Sequence, residues 1–260
     1  MEKIMSIKFN HLMIYIISIL LYIYFILSSR RDYQDSWILQ DILLPTLIFI
    51  FIFVTIVILN EDNRIIALIC SSFVIIMGLV PAMKYELFYG IPDVTFHYRF
   101  VYEIMNFGHV PNGTVYSGTP GMQILISLFS LILGISTNTG FKFAIPISFG
   151  VYPLIIYFIS SRLIQNNMLQ KYVIVASSFP LITVYYLVGT IFPLLFLILL
   201  GSLVIIGEVI YRQDKVKYRI ILIIVLLAIL ISHTVTSLLF IVFMTGSIIL
   251  LILYDRYRQK

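Results

Sequence analysis

The chain has 260 residues, of which 61% are hydrophobic and only 11% are charged, and its formal net charge is +5. A soluble domain is about 45–50% apolar and about 25% charged, so this composition excludes an ordinary water-soluble enzyme. The Lys and Arg residues lie between apolar blocks rather than along a continuous basic face, which argues against nucleic acid as a partner. The composition predicts a multi-pass protein of the cell membrane.

Residues 1–84 contain three apolar blocks, Phe9–Ser28, Ile42–Leu59 and Ile65–Met83. Each has close to the ~20 residues that a membrane crossing needs. The first block has no small-residue cleavage site and is followed by Arg30 and Arg31, so we interpret it as an uncleaved helix rather than a signal peptide. This region is predicted to form three N-terminal transmembrane helices.

Residues 85–120 form the only long polar stretch of the sequence. Turn signals occur at 90–92 and at 111–113, where Gly and Pro or Asn are clustered. We expect a long external loop with interfacial helices here, and any chemistry of the protein is expected in the same loop.

Residues 121–260 begin with the short apolar block Gly121–Ile135, which as a helix would be about 22 Å long against a hydrocarbon thickness of about 30 Å. It is interpreted as a short or re-entrant helix. The block Phe143–Ser161 is long enough to cross. The stretches Tyr172–Tyr211 and Ile220–Tyr254 each carry cations at both ends, so each is predicted to be a two-helix hairpin. About five transmembrane helices therefore follow the short helix.

Two topologies are compatible with this pattern. If Gly121–Ile135 does not cross, the chain has eight crossings, both termini are cytoplasmic and the polar loop is outside. If it crosses, there are nine crossings and the loop is cytoplasmic. In the first scheme 12 Lys and Arg residues lie on the cytoplasmic side and 5 lie outside. In the second scheme 13 lie on the side of the C-terminus and 4 on the opposite side. Because the counts differ by only one residue, the distribution of positive charge does not discriminate between the two topologies. The length of the block favours the first scheme, an all-α polytopic transmembrane bundle of about eight crossings.

Asp93 and His97 lie four residues apart in the polar loop, and on a helix they would share one face. A carboxylate beside a bilayer could act as a general base or bind a divalent metal such as Mg or Mn. His97 could orient Asp93, bind the metal or protonate a phosphate leaving group, and Arg99 could pair with a phosphate. In the alternative interpretation Asp93 only caps an interfacial helix, while His97 and Arg99 contact lipid headgroups.

Three further residues are weaker candidates. Glu103 follows Asp93 by ten residues and is either a second carboxylate of the site or a solvated rim residue. His233 lies at a predicted hairpin tip and either joins the site or bonds to its own backbone. His109, just before Pro111, is either a ligand or a surface residue at the headgroups.

The loop sequence from Ile91 to Pro111, followed by residues 116–121 (Tyr-Ser-Gly-Thr-Pro-Gly), resembles the first external loop of the C-type glycosyltransferase superfamily. Its members are polytopic enzymes that use a lipid-phosphate-linked sugar. Their loop carries an acidic residue, an interfacial helix ending in a Gly-x-x-Pro turn, and a Tyr/Pro element. These correspond here to Asp93, Gly108–Pro111 and Tyr116–Pro120, and Leu230–Leu238 also looks like a helix-turn-helix element of some members.

The resemblance implies that Asp93 is the catalytic base or metal-binding acid, with His97 beside it. It further implies a lipid-linked sugar donor as partner, contacts with membrane lipids, and substrate-binding roles for Arg99, Glu103, Tyr116 and His233. Family members usually extend well beyond the equivalent of Lys260 and often have fewer helices before the loop. The chain is therefore expected to be a shortened enzyme, one piece of a split enzyme with an additional membrane subunit, or a non-catalytic relative.

The alternative from another class is a non-catalytic membrane subunit that binds lipid or scaffolds a larger assembly. A small-solute transporter ranks last, because it needs ionisable residues or broken helices near mid-membrane and the predicted crossings contain almost no charge.

Overall fold

The structure is a computed structural model that describes residues 2–28, 38–84, 93–113 and 120–188, together with isolated positions between 216 and 246. Seven helices occur within these ranges, and the same ranges contain no strand. The predicted all-helical class is confirmed for this part of the chain. The helices are α1 (Glu2–Ser28), α2 (Ile38–Leu59), α3 (Asn63–Lys84), α4 (Asp93–Phe107), α5 (Gly121–Leu133), α6 (Thr137–Leu163) and α7 (Asn167–Val188).

Three segments of the described helices are long and apolar enough to cross a membrane: Asn10–Ser28, Asn63–Val80 and Thr137–Leu163. Leu44–Leu59 and Gly121–Leu133 are apolar but shorter. Large apolar side chains such as Leu20, Phe51 and Ile132 are exposed on these helices, as expected for surfaces that face lipid rather than water. These features indicate a membrane protein. Of the predicted hairpin Tyr172–Tyr211 the structure describes the part within α7, and the hairpin Ile220–Tyr254 lies outside the described residues apart from isolated positions.

The chain forms two compact units, and the boundary between them falls inside α4, between Phe96 and His97. Unit 1 comprises residues 1–96 and 138–193, and unit 2 comprises residues 97–137 and 194–260. In its described part, unit 1 contains α1, α2, α3, nearly all of α6, and α7.

Aromatic rings form the core of unit 1. Phe53 on α2 stacks on Phe73 of α3 with ring centroids 3.9 Å apart, and Phe49 stacks on Tyr22 of α1 at 4.7 Å. Phe179 of α7 approaches Phe73 at 6.1 Å. All of these rings except Phe179 are fully buried. Because lipid tails are as apolar as these rings, close packing rather than exclusion of water holds the helices together here.

α3 lies against α1, α6 and α7. The Tyr15 hydroxyl on α1 donates to the carbonyl oxygen of Ile69 at 3.1 Å. The middle of α6 passes so close to α3 that a Cβ at Gly150 would overlap the Ile75 side chain and lie 3.1 Å from the carbonyl oxygen of Ser71. Glycine at this position therefore permits the close approach of the two helices.

Polar contacts join the ends of three helices at one end of unit 1. The Asn63 amide, at the start of α3, donates to Gln170 Oε1 at 2.7 Å and to the Asn167 carbonyl at 3.1 Å, both in the first turn of α7. Lys171 Nζ donates to the carbonyls of Ile58 and Asn60 at 2.9 and 2.8 Å. A cation is favourable at the last carbonyls of a helix, so Lys171 stabilises the C-terminus of α2.

Burial lowers the pKa of the Lys171 ammonium below its ordinary value, and the negative charge of Glu61 opposes this shift.

The hydrogen bonds of Lys171 to the end of α2 fix the direction of the helices in unit 1. The end of α2, the start of α3 and the start of α7 lie at one end, and α6, whose last residue Leu163 precedes the start of α7 by four positions, ends there too. α3 and α6 are therefore antiparallel.

In unit 2, α5 ends at Leu133, earlier than the predicted Ile135. Gly134 adopts the left-handed conformation with φ +64°, its N–H bonds to the Leu131 carbonyl, and the N–H of Ile135 bonds to the Ser130 carbonyl. This pattern is the common glycine-terminated helix end. α5 thus has 13 residues and is about 20 Å long.

Candidate functional site

α4 contains the residues on which the sequence hypothesis depends. It begins at Asp93 and continues without interruption to Phe107, so Asp93 and His97 are about one helical turn apart, the arrangement expected if this segment is a helix. α4 is strongly amphipathic: His97, Phe100 and Val101 are buried, whereas Arg99 and Tyr102 are exposed. The polar residues of α4 are therefore divided between two faces of the helix.

His97 lies on the buried face and is only 1% exposed. Its Nδ1 atom is 2.9 Å from the amide nitrogen Nε2 of Gln123 on α5, which is itself 2% exposed. This hydrogen bond connects α4 to α5 inside unit 2. The structure therefore gives His97 a definite polar partner that the sequence hypothesis did not contain.

Arg99 lies on the exposed face of α4 and forms an ion pair with Glu103. Arg99 Nε is 2.9 Å from Glu103 Oε1, and the side chains are 79% and 27% exposed. An exposed pair at this i, i+4 spacing contributes at most ~1 kcal/mol, so an anionic ligand can exchange with the Glu103 carboxylate. Glu103 thus contacts Arg99, one of the three residues with which it was grouped as substrate-binding.

The Gly-x-x-Pro turn follows directly after α4. Gly108 has φ +70°, and its N–H bonds to the Ile104 carbonyl at 2.9 Å, so glycine allows the chain to leave the helix in the left-handed conformation. His109 is exposed, its ring lies near Phe107, and its Nδ1 atom is 3.3 Å from the Val110 carbonyl. The geometry places His109 at the surface, as one of its two interpretations required.

Two predicted site residues, Tyr116 and His233, lie outside the described residues. Of Asp93 the structure describes the backbone position at the first residue of α4. Among the residues searched, which are those the structure describes, no three or more His, Cys, Asp or Glu side chains come together to hold a metal ion. The metal-binding role of Asp93 stays a prediction.

Gln123 is the site residue that the sequence analysis missed. It lies in the apolar block from Gly121 onward, where an uncharged amide does not interrupt the hydrophobic run. A signal was nevertheless present, because a polar side chain inside an apolar helix needs a hydrogen-bond partner and so points to a polar contact.

Comparisons with known protein families, with curated proteins and with solved structures find no match to this chain. The class that the structure supports is an all-helical membrane protein.

Proposed function

We propose that the chain is a multi-pass glycosyltransferase of the cell membrane, or a reduced relative, similar to the C-type superfamily. It would move a sugar from a polyprenyl-phosphate carrier to an acceptor outside the cell. The observation that carries the proposal is the position of α4, an amphipathic helix that begins at Asp93 in the segment joining the antiparallel helices α3 and α6. The resemblance of residues 91–121 to the family's first external loop is the second support.

The direction of the helices in unit 1 supports eight crossings rather than nine. With nine crossings, the turn between α2 and α3 and the turn between α6 and α7 would lie on opposite membrane faces. The bonds of Lys171 to the carbonyls of Ile58 and Asn60 bring these turns together. Residues 85–136 would then leave and re-enter the membrane on one face, and α5, at about 20 Å, is too short to cross by itself.

This topology predicts a labelling pattern for single cysteines. A cysteine replacing the exposed Asn112 should react with a membrane-impermeant maleimide in intact cells. A cysteine replacing the exposed Glu61 or Asn166 should react only after the cells are permeabilised. The native Cys70 is buried and should give little background. Labelling of Asn112 and Asn166 positions from the same side would contradict the proposed topology.

In the proposed reaction, the Asp93 carboxylate accepts the proton of the acceptor hydroxyl. The acceptor oxygen forms a bond to the anomeric carbon of the sugar, while the bond from that carbon to the carrier phosphate oxygen breaks. The electron pair of the broken bond leaves with the phosphate, whose charge Arg99 neutralises. No step is assigned to a metal.

The role of Arg99 predicts an order of affinities for polyprenyl phosphate, measured by native mass spectrometry of the chain in nanodiscs. Arg99→Lys keeps the charge but loses the planar fork, and Arg99→Gln loses both. Glu103→Gln removes the carboxylate that pairs with Arg99. We expect Glu103→Gln to bind at least as tightly as the parent, Arg99→Lys more weakly, and Arg99→Gln weakest, about tenfold below the parent.

Arg64→Gln is the matched control, because Arg64 is exposed at the start of α3, at the opposite end of that helix from the loop. Its affinity should equal that of the parent. If all the variants bind polyprenyl phosphate equally, Arg99 has no role in recognising the carrier.

A further inference from the structure

A cavity of about 210 Å³ lies between α1 and α2 in unit 1. Nine side chains line it, and seven of them are purely apolar. Its floor consists of the buried side chains of Ser18, Tyr22 and Phe49, whereas Leu21 and Ile48 on its rim are about half exposed. The cavity is therefore closed toward the core of unit 1 and open at the outer surface of the helix pair.

The two hydroxyl groups in the lining offer little to water. Ser18 Oγ donates to the Tyr15 carbonyl of its own helix at 2.7 Å, and the Tyr22 hydroxyl lies 3.5 Å from Thr46 Oγ1. A water molecule in such a site needs two to four polar partners, so an apolar cavity stays dry. An empty cavity also loses the dispersion contacts that its walls could make. An apolar occupant is therefore favoured over both water and vacancy.

The cavity lies at the depth of the hydrocarbon layer. The apolar segment of α1 that is long enough to cross a membrane is Asn10–Ser28, so Ser18 is close to its middle. Phe25, the last residue of α1 in the lining, is seven positions further on, or about 10 Å along the helix axis. Half of the hydrocarbon layer is about 15 Å thick. The cavity thus extends from near the bilayer centre into the leaflet at the C-terminal end of α1.

The size of the cavity fits a single hydrocarbon chain. An apolar cavity of about 150 Å³ holds benzene, so on the same scale this one holds on the order of eight carbon atoms. An α-helix with its side chains is about 10–12 Å wide, so a helix of a second copy or of another protein cannot enter. Phospholipid acyl chains fill the surrounding layer at this depth, with their ends toward the bilayer centre.

We propose that the cavity binds the terminal half of one phospholipid acyl chain, held between α1 and α2. The buried rings of Tyr22 and Phe49, whose centroids are 4.7 Å apart, form the surface on which the chain lies. Leu21 and Ile48 flank its entry from the surrounding lipid. This site requires α1 to lie in the membrane and is independent of glycosyl transfer.

Photolabelling tests the site in the full chain. The protein is reconstituted in phosphatidylcholine nanodiscs in which a small fraction of the lipid carries a diazirine near the end of one acyl chain. Irradiation should label Tyr22 and Phe49, as located by mass spectrometry of peptides. Both are buried, so lipid that only covers the outer surface cannot reach them. The exposed Phe51 should be labelled in every case and shows that the reaction has worked.

A matched pair of variants on α2 tests whether the label enters through the cavity. Ile48 and Leu47 are neighbours and are both 52% exposed, but only Ile48 lines the cavity. Ile48→Trp fills the cavity and should lower the labelling of Tyr22 and Phe49 roughly tenfold. Leu47→Trp should leave that labelling unchanged.

A second pair on α1 repeats the test if either α2 variant does not fold. Leu21 lines the cavity, whereas its exposed neighbour Leu20 does not. Leu21→Trp should therefore reduce the labelling of the floor, and Leu20→Trp should not.

Three results would overturn the proposal. Labelling of Phe51 without Tyr22 or Phe49 in the parent would show that the cavity is closed to lipid, and this result needs no variant. Equal labelling of the two buried rings in the parent, Ile48→Trp and Leu21→Trp would show that the label does not pass through the cavity. Loss of this labelling on a small addition of polyprenyl phosphate would assign the cavity to the carrier chain rather than to phospholipid.

Discussion

Asp93→Asn should lower glycosyl transfer from a polyprenyl-phosphate-linked sugar by at least ~100-fold, the scale expected for the loss of a general base. Asparagine has nearly the same shape as aspartate, and it also favours the N-terminus of a helix. Because Asp93 is the first residue of α4, the substitution should leave the helix and the thermal stability nearly unchanged. The measurement is the rate of transfer by purified protein in nanodiscs, together with its unfolding temperature.

Asp62→Asn provides the control for this experiment. Asp62 Oδ1 accepts the backbone N–H of Arg64 at 2.9 Å just before α3, and asparagine can accept the same bond. Its transfer rate should match that of the parent. If Asp93→Asn supports both transfer and the cellular role as well as the parent does, Asp93 is a helix-capping residue. The interpretation as a non-catalytic, lipid-binding or scaffolding subunit then replaces the enzyme hypothesis.

Phe53→Ala should destabilise unit 1 by about 3 kcal/mol, at the lower end of the range for buried Phe→Ala substitutions. Phe53 is fully buried, and its ring stacks on Phe73 at 3.9 Å and meets Phe179 edge-on at 6.1 Å. The lower end applies because an unfolded membrane helix remains in lipid, so the substitution removes packing without a large gain from hydration. The free energy of unfolding is measured by denaturant titration in mixed micelles.

Phe51→Ala is a closely matched control, since Phe51 lies on the same helix two residues earlier and is 72% exposed. Its ring faces outward from unit 1, so its removal should change the free energy of unfolding by less than ~0.5 kcal/mol. Equal effects of the two substitutions would show that the aromatic cluster does not hold α2 against α3.

The sequence by itself determined the helical class and the positions of most of the described helices. The length of an apolar run is a local property, and it located α2, α3 and the core of α6 before any contact was known. The four-residue spacing of Asp93 and His97 would place the two residues on one face of a helix, and both lie on α4. The end of α5 was misplaced by two residues, although glycine at position 134 is a common signal for a helix end.

Tertiary contacts decided what no local pattern could. The cation distribution differs by one residue between the two topologies, whereas Lys171 bonds to carbonyls more than 110 positions earlier in the chain and so orients α7 relative to α2. The burial of His97 and its bond to Gln123, 26 residues away, are equally non-local. An amphipathic pattern shows that a helix has a buried face, but the partner on that face is chosen by packing between distant segments, because only the folded chain brings their polar atoms within hydrogen-bond distance.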